Sequence, residues 1–198
     1  MNADPIERLI HELARLPGIG RKSATRLAYH LLRSPNGSAL KLAEAIQTAR
    51  EEVKLCHLCG NLSPLDPCRY CTDERRDART LCVVEELPDF LAIEATGDYR
   101  GRYHILQGVI SPLNGVGPDD LRIAELLERV RHEAFSEVIL ATNPTVDGET
   151  TALYLGKLLR SETLRISRLA SGIPAGSDLE YLDRVTISRA LSGRRELP

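Results

Sequence analysis

The sequence predicts a multi-part α/β protein with four segments: a helical N-terminal segment, a small cysteine-bearing one, a mainly parallel sheet with flanking helices, and a C-terminal extension. Three observations predict it. From about Thr80, short β-branched runs alternate with helical stretches, the pattern of strand–helix–strand units. The first fifty residues instead repeat apolar side chains at the helical period and are broken at Pro17-Gly18. Between these regions lie two C-x2-C pairs among prolines. The expected boundaries are 1–54, 55–78, 79–172 and 173–198.

The first helix starts at Asp4-Pro5, because Asp accepts from free backbone N–H groups and proline at the first helical position sacrifices no bond. Glu7 completes a pattern like a capping box. Ile6, Leu9, Ile10, Leu13 and Leu16 follow the helical period. A second helix runs from about Arg21 to Leu32. After the turn Asn36-Gly37-Ser38, a third continues through about Val53, with Leu40, Ala43, Ile46, Ala49 and Val53 expected to face inward. Pro64 and Pro67 argue against regular structure in 55–78. Leu81-Cys82-Val83-Val84, Tyr103-His104-Ile105-Leu106 and Glu137-Val138-Ile139-Leu140-Ala141 read as strands. Helices are expected near 88–95, 119–133 and 149–160. The breaker run Gly172-Ile173-Pro174-Ala175-Gly176 opens the last segment, which ends in a helix near 183–192.

Hydrophobic residues make up 42% and charged residues 27% of the 198, which suits a packed globular chain. No run approaches the ~20 apolar residues of a membrane span, so no membrane partner is expected. The N-terminus lacks the basic-then-apolar pattern of a secretory signal, and the expected location is cytoplasmic. With 26 basic and 28 acidic side chains the net charge is −2, which excludes a generally basic nucleic-acid binder. The charge is unevenly divided. Residues 1–79 carry 13 basic and 10 acidic side chains, and residues 80–198 carry 13 and 18. Residues 16–33 hold four basic residues and no acid, so a polyanion contact is expected there.

Leu16-Pro17-Gly18-Ile19-Gly20-Arg21-Lys22-Ser23-Ala24 joins two helices by a short turn. Gly18 and Gly20 permit positive φ and close approach of a ligand backbone, and Ile19 can plug the cleft between the helices. The second helix would offer free N–H groups and the positive end of its dipole. Lys22 and Arg26 stand four residues apart, with Arg33 on roughly the same stripe, while Ala24, Leu27, Ala28 and Leu31 lie mostly opposite. The pattern resembles a helix-hairpin-helix motif, which holds DNA phosphates without reading sequence. Gly18, Gly20, Arg21, Lys22 and Arg26 are the candidate DNA contacts. A plain helical hairpin with a solvated basic face is the alternative.

Cys56-His57-Leu58-Cys59 and Cys68-Arg69-Tyr70-Cys71 are separated by eight residues. Two such knuckles close a tetrahedral thiolate cage, the donor set of a structural zinc ion, Zn2+. Four protein thiolates leave no open position for catalysis. His57 reads as a bystander, and Cys82, in an apolar run, as a core residue.

Val83-Val84-Glu85-Glu86 ends the first expected strand with acid, and Ala141-Thr142-Asn143-Pro144-Thr145-Val146-Asp147-Gly148-Glu149 ends a later one. These stretches resemble the Toprim fold of topoisomerases, primases and some nucleases. In its active members a glutamate and an Asp-x-Asp motif hold magnesium for phosphodiester chemistry. Glu85 stands at the glutamate position, but the Asp-x-Asp positions read Asn143-Pro144-Thr145. Asp147 and Glu149 remain nearby and could recruit at most a weak Mg2+ ion. They could equally complement the dipole of the following helix or form a surface for a partner. Gly156-Lys157 is not a P-loop, because Thr151 stands where a glycine is required.

The order of hairpin, four-cysteine knuckle and degenerate Toprim segment is similar to the bacterial RecR family of recombination mediators over essentially the whole chain. Tyr99-Arg100-Gly101-Arg102-Tyr103-His104, Ser111-Pro112-Leu113-Asn114-Gly115 and Leu179-Glu180-Tyr181 add to it. Asp147 is a mild departure, a shorter acid where the family carries glutamate. The resemblance implies a non-catalytic protein of recombinational DNA repair. It implies self-assembly as dimer or ring-like tetramer, binding to single- and double-stranded DNA without sequence preference, and hence a place at the nucleoid. It also implies the partners RecO and RecF in loading RecA. In this reading Lys22 and Arg26 are the DNA-contacting cations, and the surface around Glu85, Asp147 and Glu149 meets RecO. The rival readings are a magnesium-dependent Toprim nuclease or primase-like enzyme, and a zinc-stapled protein-binding adaptor.

Overall fold

The computed structural model describes residues 4–34, 37–161 and 163–194. It divides into two compact units, Met1–Val53 and Lys54–Pro198.

The first unit is helical: α1 (Pro5–Ala14), α2 (Arg21–Arg33) and α3 (Ser38–Glu52). Asp4 starts α1, its Oδ1 accepting from the Ile6 N–H at 3.0 Å. No capping box forms at Glu7, whose carboxylate instead meets Arg21 at 2.8 Å on the next helix. Ile10, Ala24 and Ala28 are buried together, with Ile6, Leu9, Leu13 and Ile19 packed around them. Two alanines at one-turn spacing on α2 let the helices approach closely. Leu16 lies beyond α1 and is exposed, contrary to the periodic reading. The larger correction concerns α3. No residue of it is buried; Leu40 is 75% and Ile46 62% exposed, Ala43 and Ala49 are exposed, and Val53 is half-buried. Periodicity marks an apolar row there, but among the described residues nothing covers it. Asn36, of the expected turn, lies outside the described residues.

In the second unit, β1 (Lys54–Leu55) and β2 (Leu62–Ser63) pair antiparallel, and α4 (Arg69–Thr72) is a single helical turn. The proline-bearing stretch therefore holds some regular structure, with Pro64 and Pro67 themselves outside it. The main sheet comprises β3 (Asp77–Val84), β4 (Gly101–Ile105), β5 (Glu137–Leu140) and β6 (Arg165–Arg168), all parallel, in the order β4-β3-β5-β6. Helices α5 (Leu87–Thr96), α6 (Ile123–His132) and α7 (Val146–Leu158) form the crossovers. Alternation along β3 sends Leu81 and Val83 into a core with Leu126 of α6 and Leu155 of α7, and Cys82 and Val84 into one with Phe90 of α5 and Tyr103. A sheet covered on both faces explains why its inner strands read as continuous apolar runs. Cys82 is a core residue as expected, its thiol pushed up to about 12 by burial.

Beyond β6, the 3-10 turn Leu179–Tyr181 and α8 (Arg184–Ser192) contain no buried residue. The last four residues of the expected extension, 195–198, lie outside the described residues.

His104 is fully buried on β4, its Nε2–H donating to the Arg122 carbonyl at 2.8 Å. Burial, reinforced by Arg129 and Arg122, lowers its pKa to about 4. The native protein therefore keeps His104 neutral where the unfolded chain, titrating near 6.5, takes up a proton. Stability from this site is full above that value and is lost as pH falls toward 4. Urea unfolding at pH 7 and pH 5 should show the wild type losing about 2 kcal/mol more than His104→Gln.

Candidate nucleic-acid interface and metal centre

The hairpin between α1 and α2 turns on Gly18, which adopts φ +76°. Gly20 differs from expectation: it is extended, with φ −77°, and serves as the N-cap of α2. Having no side chain, it leaves the first N–H groups of α2 without a side-chain cap, and no acid sits in that turn. The space where a Cβ would stand is open at both glycines. This is an uncapped helix N-terminus beside positive charge, an arrangement suited to phosphate. Lys22 and Arg26 are exposed and, among the described residues, have no ion-pair partner. Arg21 is committed to Glu7, and Arg33 lies 5.8 Å from the Tyr29 ring centroid.

In the second unit the four predicted cysteines converge. Their sulfurs all lie within 4.8 Å of one another, with Cys56 and Cys71 3.9 Å and Cys59 and Cys68 3.5 Å apart. Thiolates around a tetrahedral zinc at about 2.3 Å would stand about 3.8 Å apart, so the donor set fits that ion. All the cysteines are free thiols. The Cys68 N–H donates to Cys56 Sγ at 3.3 Å, and the Asn61 N–H donates to Cys59 Sγ at 3.4 Å, the latter contact favouring the Cys59 thiolate. Without an ion the cluster cannot carry four charges. Hydrogen bonds from Cys59 and Cys71 hold Cys68 far below the usual thiol range, while Cys59 is pushed up to about 12 by Cys68, and Cys71 upward by Cys59 and Cys68. The exposed His57 ring stays outside the cage, with its Nδ1 2.7 Å from Asp66. Gly60, at the tip of the first knuckle, has φ +77°, and a Cβ there would fall 2.8 Å from the Ile105 carbonyl oxygen.

The strand order reverses between β3 and β5, and ligand crevices of open parallel sheets form at such points. Glu85 follows β3 and Asn143 follows β5. They meet there. Glu85 is buried, its Oε1 accepting from the Asn143 backbone N–H at 2.8 Å and its Oε2 from Asn143 Nδ2 at 2.7 Å. Gly148 makes room for the pair, since a Cβ there would lie 2.6 Å from Glu85 Oε1. Glu149 binds Arg168 at 2.5 Å and lies 3.8 Å from Arg189 of α8. Asp147 is half-buried, with no side-chain hydrogen bond or ion pair among the described residues. The three acids expected to share one surface are thus differently disposed: Glu85 lies beneath the surface, and Glu149 is shared between two arginines. Among the described residues, only the cysteines form a cluster of three or more His, Cys, Asp or Glu with donor atoms close enough for one ion.

Comparison with known proteins agrees with this geometry. Residues 6–50 match the family model for the RecR helix-hairpin-helix, 79–170 the Toprim domain and 172–195 the RecR C-terminal segment. The chain is 56% identical over 195 residues to the recombination protein RecR of Anaeromyxobacter dehalogenans, covering 98% of each chain. It is 53% identical over 197 residues to that of Myxococcus xanthus, covering 100% of both. The chain belongs to the RecR family of recombination proteins. RecR relatives of this length also include that of Moorella thermoacetica, 54% identical over 194 residues. No described helix is long and apolar enough to cross a membrane.

Sequence reasoning missed Arg168 and Arg189, the partners of Glu149, and Asn143 as donor to Glu85. An amide at a position where the Toprim pattern carries a carboxylate was the available signal for the last.

Cys56→Ser should release zinc and lower stability, because metal binding is coupled to folding. Gly60→Ala should lower stability by more than about 1 kcal/mol, through positive φ and the Ile105 contact. Metal analysis with thermal melting checks both. Full zinc and unchanged melting in Cys56→Ser would contradict the assignment.

Proposed function

We propose that this chain is a non-catalytic DNA-binding mediator of recombinational repair, which binds DNA through the backbone and acts with RecO and RecF to help load RecA on single strands. The observation that carries the reading is the uncapped N-terminus of α2, with no acid in its first turn and with Lys22 and Arg26 free of ion pairs among the described residues. Phosphate oxygens accept from the N–H groups of Arg21, Lys22 and Ser23, and the two cations add charge without reading bases. One hairpin supplies few contacts, so affinity arises from several copies acting together. The uncovered apolar row of α3, Leu40, Ala43 and Ile46, supports self-association into a dimer or ring-like tetramer. The chain has few aromatics, no Trp, two Phe and six Tyr, which argues against base-stacking as the main mode.

The Toprim crevice supports the non-catalytic half of the reading. Metal-assisted phosphodiester chemistry needs clustered anionic oxygens. Here both oxygens of Glu85 accept from Asn143, a neutral residue where the active Toprim pattern carries a second carboxylate. The half-buried Asp147 and the edge of Glu149 then serve recognition of a basic partner, RecO. Zinc, held by Cys56, Cys59, Cys68 and Cys71, supplies structural closure and no reactive position.

Gel-shift titration on single- and double-stranded DNA with Mg2+ present, at several salt concentrations, tests this reading. Lys22→Glu/Arg26→Glu should bind at least tenfold more weakly and flatten the slope of log K against log salt by about 1.5–2, with the DNA intact on denaturing gels. Cleaved DNA, or a double mutant that binds like the wild type, would overturn it.

A further inference from the structure

The knuckle carrying Cys56 and Cys59 is not free-standing. Four consecutive carbonyls of that loop each accept a hydrogen bond from the α/β body. His57 O accepts from Arg122 Nη2 at 2.7 Å and Leu58 O from Arg129 Nη1 at 3.4 Å. Cys59 O accepts from the Ile105 N–H at 2.7 Å and Gly60 O from Gln107 Nε2 at 2.7 Å. Arg129 is the centre of this junction. Its side chain is only 4% exposed, and it also donates to the Tyr103 carbonyl at 2.7 Å and to Glu133 at 2.7 Å. One guanidinium thus ties the knuckle loop, the β4 backbone and the end of α6 together.

We propose that Arg129, with Arg122, is a positioning residue of the metal centre: the α/β body holds the first knuckle in its ligating shape before the ion arrives. The physical reason is preorganisation. Cys59 lies in a loop whose backbone path is set by hydrogen bonds donated to the carbonyls of His57, Leu58, Cys59 and Gly60, so little conformational freedom remains to be lost when its sulfur joins the cage. Without those donors the same four thiols would have to order the loop at the moment of binding, as in small fingers that fold only around their metal. The two knuckles differ in this respect. The second is held by side-chain stacking, with Tyr70 4.8 Å from Phe90, edge to face, and Arg76 5.1 Å from the Tyr70 ring centroid. The backbone clamp belongs to the first knuckle.

The inference rests on the reading of the four cysteines as a zinc site, and the test separates the two. Full-length wild type, Arg129→Met, Arg129→Lys, Gln107→Ala and the remote core variant Leu155→Ala are loaded with Zn2+ and titrated with a chromogenic chelator. Each is also loaded with Co2+, whose visible bands report tetrahedral thiolate coordination. Arg129→Met should bind zinc about 10–100-fold more weakly and give weakened or shifted cobalt bands, and Arg129→Lys, which keeps a donor, should recover part of both. Gln107→Ala, an exposed position, keeps the test open should Arg129→Met fail to fold, and it should weaken zinc binding severalfold. Leu155→Ala should melt lower yet hold zinc like the wild type. Zinc affinity in both Arg129→Met and Gln107→Ala within twofold of wild type, or an equal loss in Leu155→Ala, would overturn the positioning role. A wild type that binds neither ion would overturn the zinc reading itself.

Discussion

The junction between the first cysteine knuckle and the edge of the parallel sheet is the constraint on which the second unit depends. Buried arginines are tolerable only when their donors are used, because an uncompensated charge inside a protein costs several kcal/mol. Arg129, buried, donates to the carbonyls of Leu58 and Tyr103 and to Glu133, and the half-buried Arg122 to the carbonyl of His57, while Arg129 Nη2 and Arg122 Nε have no partner among the described residues. The two knuckles in turn gather the thiols, where Cys59 and Cys71 are pushed upward by their sulfur neighbours unless a cation neutralises the cage. The sheet therefore holds the first knuckle in shape with or without the metal, and the metal closes the cage on a loop already placed. The aromatic group of Tyr70, Phe90, Tyr99 and Tyr103, with Arg76 over two of its rings, extends the same junction across the second knuckle.

A second, smaller substitution decides the chemistry of the sheet's crevice. A carboxylate accepting two good hydrogen bonds, each worth about 1.5–3 kcal/mol when charge is involved, has no need of a metal to be stable when buried. Asn143 supplies both bonds to Glu85. The fold keeps the architecture that positions an acid at the switch point, with an amide where the Toprim pattern carries a second carboxylate. Glu149, shared by Arg168 of β6 and Arg189 of α8, ties the C-terminal segment to the helix that follows the crevice. The crevice thus organises a surface, whereas the hairpin unit carries the exposed positive charge.

Much of this was legible in the sequence, and the reasons differ by element. Cysteine spacing encodes a local geometry, so the cage assembles as read. The apolar runs of β3, β4 and β5 are continuous because both faces are covered, and strand length separates them from helices. In contrast β6, Arg165-Ile166-Ser167-Arg168, is a half-exposed edge strand with no such run, and it escaped notice. Glu7 illustrates tertiary override: a local capping pattern was present, but the ion pair with Arg21 took its carboxylate. On α3 the period was real, yet a period reports a stripe and says nothing of what covers it. Arg122 and Arg129 were illegible. On and just before a helix with an amphipathic period they look like solvated cations, and only the fold shows that carbonyls 65 and 71 residues upstream turn toward them.

Hydrogen exchange on the full chain, with zinc bound and after its removal by a chelator, addresses the junction most directly. The account predicts that Ile105, whose N–H is bonded to Cys59, stays protected together with β3 and β4 when zinc is removed, while exchange accelerates in the second knuckle. Loss of the Ile105 protection in the metal-free chain would contradict it, and would make the first knuckle a loop that orders only around its metal.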